Sequence, residues 1–162
     1  MAETKLRKHE FIPFIDTSGG AEPDSYTWSR VDRSTVFALN PNPQTETLDY
    51  IAYETAITEI TSYQPELPQE IALYEGNPVY DFMFEMFYNL PVGDETKVPV
   101  LLCFAGTDKK AWLIPKCTVT LGEMNTVDGK LSFTLNIGGD IQRGTYTMAE
   151  GVPTFKAAGA GA

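Results

Sequence analysis

The segment NPVYDFMFEMFYNL, residues 77–90, has a clear helical period. Its start is marked because the Asn77 side chain can accept hydrogen bonds from first-turn amides and Pro78 lacks only a donor that would be unpaired there. Pro91 marks the end. Six apolar residues recur at the spacing of one broad helix face, and these are Val79, Phe82, Met83, Met86, Phe87 and Leu90. We therefore predict one amphipathic helix packed on a core.

A second row, of aromatic residues, lies on the flank of this predicted helix. Tyr80, Phe84 and Tyr88 follow one another at four-residue spacing, which places them on one side of the helix. A helix this apolar is either buried in a large core or covered by another subunit, and a chain of 162 residues builds only a modest core. We therefore expect an oligomer in which neighbouring copies cover this row.

Length and cysteine content set the broad class. The chain fits one domain, 1–162, and no apolar run is long enough to span a bilayer, so we expect no membrane insertion. The N-terminus MAETKLRKHE lacks the apolar core of a signal peptide, which favours the cytoplasm. Cys103 and Cys117 lie within apolar runs and predict buried thiols, with a cross-strand disulfide as the alternative. With His9 they are too few for a zinc site, and we expect no cofactor.

The net charge of −10 comes from one contiguous third of the chain. Residues 34–96 contain eleven Asp or Glu and no Lys or Arg, whereas the segments on either side are close to balance. A surface built from that third would repel phosphate groups rather than bind them. The simpler alternative is a hydrated acidic face that keeps the protein in solution.

Most of the remaining sequence alternates with the period of β-strands. Strands are predicted near residues 11–15, 26–31, 34–39, 67–73, 98–105, 112–121, 131–137 and 141–148, of which 98–105 is apolar on both faces and central. Residues 1–10 predict a flexible N-terminal arm and residues 156–162 a flexible tail. Many strands with one helix in the middle predict a mainly β fold, an antiparallel β-sandwich or barrel with one flanking α-helix.

Residues 45–63, TETLDYIAYETAITEITSY, form a long segment rich in Thr, Ile and Tyr, which favours extended chain. The alternation breaks near residues 51–54, so we predict a strand, a projecting middle and a second strand. About ten extended residues reach on the order of 30 Å, enough to contact an adjoining subunit.

The sequence contains no constellation of catalytic residues, and we predict that the chain is not an enzyme. His9 is the single histidine, which excludes Ser-His-Asp and Cys-His arrangements. The many acids offer carboxylate pairs without favouring one pair, and the basic residues are scattered rather than interleaved with aromatics. An alternative function is a monomeric β-sandwich module that binds carbohydrate or protein. Its aromatic platform would draw on Tyr26, Trp28, Tyr50 and Tyr53.

Three blocks of sequence resemble, in order and spacing, the major tail tube proteins of long-tailed, siphophage-like bacteriophages. The blocks are NPNPQTETLDYIAYETAITEITSYQPELPQEI (40–71), GNPVYDFMFEM (76–86) and KCTVTLGEMNTVDGKLSFTLNIGGDIQRGTYTMAEGVPTF (116–155). Residues 1–33 match the family less clearly.

The resemblance implies a structural virion protein with a β-sandwich or barrel fold. Six copies would form a ring with a continuous inner β-barrel, and rings would stack into the tail tube. By position, residues 49–63 would be the projecting segment that reaches neighbouring copies within and between rings. The tube would enclose the tape measure protein, pass double-stranded DNA non-specifically during genome ejection, and meet tail terminator and distal tail proteins. Assembly is expected in the cytoplasm of the host bacterium, with a flexible non-contractile tail as the default.

The helix flank and the resemblance together give the expected contact residues. Contacts between subunits are expected from Tyr50, Ile51, Tyr53, Glu54, Ile57, Tyr80, Phe84 and Tyr88. Acids expected to face the lumen or the next ring are Glu46, Asp49 and Glu59. As an alternative, some of these acids and Glu54 pair with Lys or Arg of a neighbouring copy.

Overall fold

The computed structural model of the chain describes residues 3–18, 26–35 and 37–158. It confirms a mainly β fold, an antiparallel β-sandwich with one flanking helix. The strands are β1 Ile12–Asp16, β2 Trp28–Arg30, β3 Pro43–Leu48, β4 Ile57–Tyr63, β5 Glu66–Ala72, β6 Lys97–Cys103, β7 Lys110–Asn125, β8 Lys130–Asn136, β9 Gln142–Ala149 and β10 Val152–Ala157. Helix α1 spans Pro78–Asn89, and short 3-10 turns cover Lys8–Glu10 and Gly93–Thr96.

Strand β7, with 16 residues, connects the two halves of the main sheet. Along one edge it pairs with β6. Along the other edge its first residues pair with β9 and its last residues pair with β8. The main path therefore runs β10-β9-β7-β6-β1-β2, while β8 carries β5.

The sheet is buried on both faces around β6. Val100 and Leu102 belong to the larger core, which α1, β5 and β8 complete. Leu101 and Cys103 alternate with them and belong to a smaller core on the other face, together with Phe14. This arrangement confirms the central position predicted for the run that is apolar on both faces.

Helix α1 confirms the predicted start signal. The side-chain oxygen of Asn77 accepts hydrogen bonds from the backbone amides of Val79 at 3.1 Å and Tyr80 at 3.3 Å. The predicted apolar face packs on the larger core: Val79, Met83 and Met86 are buried, and Phe82 and Phe87 are partly buried.

The prediction for Leu90 was wrong. Its side chain is 70% exposed, and its backbone is left-handed with φ of 49°. It caps the helix, since its amide donates to the carbonyl oxygen of Met86 at 2.9 Å. The helical period counts Leu90 as part of the buried face, but the chain leaves the helix there and turns the side chain away from the core.

Two strand predictions also differ from the structure. Residues 34–39 were predicted as a strand, but the described part of this segment instead follows the outer edge of β5, through single bridges from Ser34 to Ile71 and from Asn40 to Glu66. Strand β10 was not predicted, and it includes Lys156 and Ala157, which were assigned to a flexible tail. Residues 1, 2 and 159–162 lie outside the described residues.

Cys103 and Cys117 are free and buried, which confirms the thiol prediction. They are not cross-strand partners, because Cys103 pairs with Ala111 and Cys117 with Val98. Burial raises the pKa of each thiol from 9.0 to about 12, with the charge of Lys97 opposing this at Cys117.

The Asn77 cap gives a first prediction. Substitution Asn77→Ala should lower the free energy of unfolding by about 1 kcal/mol, because two first-turn amides lose their acceptor. Urea unfolding followed by circular dichroism measures this. The control Asn89→Ala, at an exposed position at the other end of the helix, should change the stability far less.

The thiols give a second prediction. Because the folded-state pKa values are raised, the unfolded chain ionises first, and stability is full below pH 9 and falls as pH rises toward 12. By pH 10 each thiol should cost roughly 1 kcal/mol. Urea unfolding at pH 8 and pH 10 measures the loss. An equal loss in the double variant Cys103→Ala, Cys117→Ala would contradict this assignment.

Candidate functional site

Strands β3 and β4 form a hairpin with a two-stranded sheet of its own, separate from the main sheet. We call residues 43–63 the projecting hairpin. Its strands pair from Pro43 with Tyr63 to Leu48 with Ile57, and residues 49–56 form the tip. Six to seven residues per strand make it roughly 20 Å long. The predicted strand, projecting middle and second strand are thus present.

Hydrogen bonds fix the base of the projecting hairpin. The Gln64 amide donates to the Asn42 carbonyl at 3.2 Å, and the Asn42 side-chain amide donates to the Gln64 carbonyl at 3.2 Å. Asn42 has a left-handed backbone, with φ of 43°, between Pro41 and Pro43. Asparagine tolerates this conformation better than most residues, which accounts for it at the point where the chain turns into the hairpin.

Side chains on both faces of the projecting hairpin are exposed. Leu48 and Ile57, opposite each other next to the tip, are half-buried. At the tip, Tyr50 and Tyr53 are 50% and 58% exposed, with ring centroids 6.3 Å apart, and Ile51 is fully exposed. The hairpin also carries four acids, Glu46, Asp49, Glu54 and Glu59, and no Lys or Arg.

The aromatic row on α1 forms a second surface, which we call the helix flank. Phe84 and Tyr88 are exposed there, whereas Tyr80 is partly buried against the larger core. Ring centroids of Tyr80 and Phe84 are 6.1 Å apart, and those of Phe84 and Tyr88 are 6.4 Å apart in a stacked arrangement. Tyr88 is 77% exposed. A shallow concavity beside the row is lined by three acids, Glu75, Asp81 and Glu85.

A third surface is a basic pocket of about 660 Å³ between the β6–β7 loop and β9. Its lining includes the partly buried rings of Phe104 and Trp112, whose centroids are 5.1 Å apart. Three exposed cations lie at the pocket, Lys109, Lys110 and Arg143, with Asp108 as the acid among the lining residues.

The basic pocket was missed by sequence reasoning, which described the basic residues as scattered and not interleaved with aromatics. Strand pairing brings them together, because Trp112 lies opposite Arg143 in the β7–β9 ladder. The guanidinium carbon of Arg143 is 5.9 Å from the centre of the Trp112 ring. Lys109 and Lys110, just before Trp112, were the sequence signal for this pocket. Arg143 could not be added from the sequence, because its place beside Trp112 depends on pairing with a strand about 30 residues away.

The predicted contact residues divide between two surfaces. The projecting hairpin holds Tyr50, Ile51, Tyr53, Glu54 and Ile57 together with the acids Glu46, Asp49 and Glu59, and the helix flank holds Tyr80, Phe84 and Tyr88. The four aromatics considered for a sugar platform are also divided, since Tyr26 and Trp28 pack beside the smaller core. The roles of all these residues stay predictions.

The described residues contain no group of three or more His, Cys, Asp or Glu side chains arranged to hold a metal ion. Among the same residues, no helix is both long enough and apolar enough to cross a bilayer.

The helix flank gives a third prediction. Because Tyr88 is largely exposed, Tyr88→Gln should change the free energy of unfolding of the subunit by less than about 0.5 kcal/mol. Met83→Ala, at a fully buried position on the same helix, should cost about 2–5 kcal/mol. Urea unfolding measures both. A loss at Tyr88 as large as that at Met83 would show that this ring supports the core of the subunit.

The chain is similar to chains in two solved structures. A chain in the cryo-EM structure of an extracellular contractile injection system, PVC sheath/tube terminator in extended state, matches with a TM-score of 0.56 and 9% identity, over 88% of this chain and 99% of that chain. A chain in the cryo-EM structure of the anti-feeding prophage (AFP) baseplate matches with a TM-score of 0.49 and 10% identity, over 89% and 98%. No protein-family model and no curated protein sequence matches the chain. At 9% identity, the match to the PVC structure shows a common fold over nearly the whole length of that chain.

Proposed function

We propose that the chain is a structural subunit of a phage tail-type tube, whose copies form six-membered rings that stack. The fold supports this proposal, because its likeness to a chain of a sheath/tube terminator structure extends over most of the molecule. The likeness concerns a contractile system, so the proposal is for a tail-type tube with or without a sheath. The chain would then act by assembly and not as an enzyme.

The projecting hairpin is the observation that carries the proposal. Its side chains point into solvent on both faces, so it has no core of its own within the subunit. Exposed tyrosines and an isoleucine at its tip are residue types that contribute strongly to interfaces when a partner buries them. A length of roughly 20 Å is enough to reach an adjoining copy.

The edges of the main sheet support a closed ring. Strands β2 and β10 lie at the two ends of its path, and among the described strands each pairs on one side. Unpaired edges template aggregation, and joining sheets around a ring removes them. In the ring we propose, the sheets of six copies would form the continuous wall of a tube.

The acidic middle of the chain supports passage of DNA. Glu46, Asp49 and Glu59 are exposed on the projecting hairpin. Acids that face the lumen would repeat six times per ring and repel the phosphates of a passing duplex. The proposed tube would enclose the tape measure protein and meet terminator and distal tail proteins at its ends. It would assemble in the host cytoplasm and form part of the virion tail.

Negative-stain electron microscopy of the purified protein is the direct test, and our fourth prediction. We expect rings or hollow tubes from the unmodified chain. A variant in which residues 50–56 are replaced by one glycine should stay folded but form none. It leaves Asp49-Gly between the paired Leu48 and Ile57, a two-residue turn that closes a hairpin well.

Circular dichroism and urea unfolding are the controls for this variant, and they should match the unmodified chain. Normal tubes from it would refute the role of the tip. An unmodified chain that stays monomeric under all assembly conditions would contradict the proposed function. Glycan binding by such a monomer would favour the alternative, a binding module.

A further inference from the structure

We propose that the projecting hairpin of one copy docks into the basic pocket of a neighbouring copy. This inference rests on the proposed function, because it names the contact that joins subunits. The acids of the hairpin have two alternative roles, facing the lumen or the next ring, and pairing with Lys or Arg of a neighbouring copy. For the acids near the tip, this inference takes the second role.

The pocket matches the tip in chemistry. Its lining combines the rings of Phe104 and Trp112 with the charges of Lys109, Lys110 and Arg143. Aromatic rings on the lining offer apolar area and ring edges to incoming tyrosines. Cations that flank such rings attract carboxylates on the same segment.

The tip provides the complementary groups. Tyr50, Ile51 and Tyr53 form its exposed apolar part, and Asp49 and Glu54 flank them. Three cations and one acid at the pocket therefore face a segment that carries acids and no cation. Long-range attraction between such surfaces speeds encounter and fixes the register of docking.

Charge also argues against the helix flank as the docking site for the hairpin. Its aromatic row offers apolar area, but Glu75, Asp81 and Glu85 line the concavity beside it. An acidic hairpin would place like charges together there, which is unfavourable. The basic pocket is thus the surface that fits the tip both in apolar area and in charge.

The contact must form between copies. Within one chain the tip stays exposed, and the residues that line the pocket come from the β6–β7 loop, its flanking strands, β9 and Ala158. Each copy therefore offers one hairpin and one pocket, which gives a head-to-tail contact that either closes into a ring or continues as a filament.

Disulfide cross-linking of the full chain tests the docking and is our fifth prediction. In the double variant Ile51→Cys, Thr107→Cys, mild oxidation should join copies into covalent ladders on a non-reducing gel. Ile51 is at the tip and Thr107 lines the pocket. Cys103 and Cys117 are fully buried and should not contribute.

Two matched controls use other exposed positions. Ile51→Cys with Val127→Cys should give little cross-linking, since Val127 lies in the β7–β8 turn and is 94% exposed. Ile51→Cys with Tyr88→Cys reports docking on the helix flank. Ladders from the Tyr88 pair and none from the Thr107 pair would overturn the inference.

Charge reversal provides a second measurement. Lys110→Glu with Arg143→Glu should raise the protein concentration needed for assembly at least tenfold, and adding Asp49→Lys with Glu54→Lys should restore most of the loss. Unchanged assembly after the pocket reversal would refute the docking while leaving the proposed function intact. Absence of rings and tubes from the unmodified chain would instead refute the proposed function. Binding of duplex DNA that the pocket reversal abolishes, with assembly unchanged, would mark the pocket as a nucleic-acid site and refute the docking.

Discussion

The pairing of β7 with three strands is the constraint on which the rest of the fold depends. Along one edge β7 holds β6, and along the other it holds first β9 and then β8. A register shift between Leu121 and Met124 marks an irregularity in the β8 ladder, the kind of feature that bends a strand. Because β8 in turn carries β5, the larger core and the helix that packs on it are positioned from this one strand.

Features fixed by local chemistry could be predicted from the sequence. The caps and period of α1 depend on residues within one or two turns, and the break in alternation near residues 51–54 marks the tip of the hairpin. Strand β10 could not be found in this way. Its residues are ordered by pairing with β9, whereas the Gly- and Ala-rich sequence at the end of the chain suggests a flexible tail. The bridges from Ser34 and Asn40 to β5, and the basic pocket, likewise depend on residues distant in sequence.

In the proposed tube, the three surfaces would have separate tasks. In our proposals, the projecting hairpin and the basic pocket join copies by complementary charge, while the sheet edges join the wall. The helix flank carries apolar rings beside acids, so it would suit a partner with cations among apolar groups. Opposite charges favour docking of the hairpin in the basic pocket, and like charges disfavour its docking on the helix flank.

The separation of the projecting hairpin from the main sheet affects how growth would begin. An isolated two-stranded hairpin is at best marginally ordered in water, so in the proposed tube the first docking event would also have to supply the free energy that immobilises it. Small clusters would therefore dissolve more often than they extend, and subunits would stay dispersed below a critical concentration. A template that presents preformed acceptor sites would remove this nucleation barrier and decide where a tube starts.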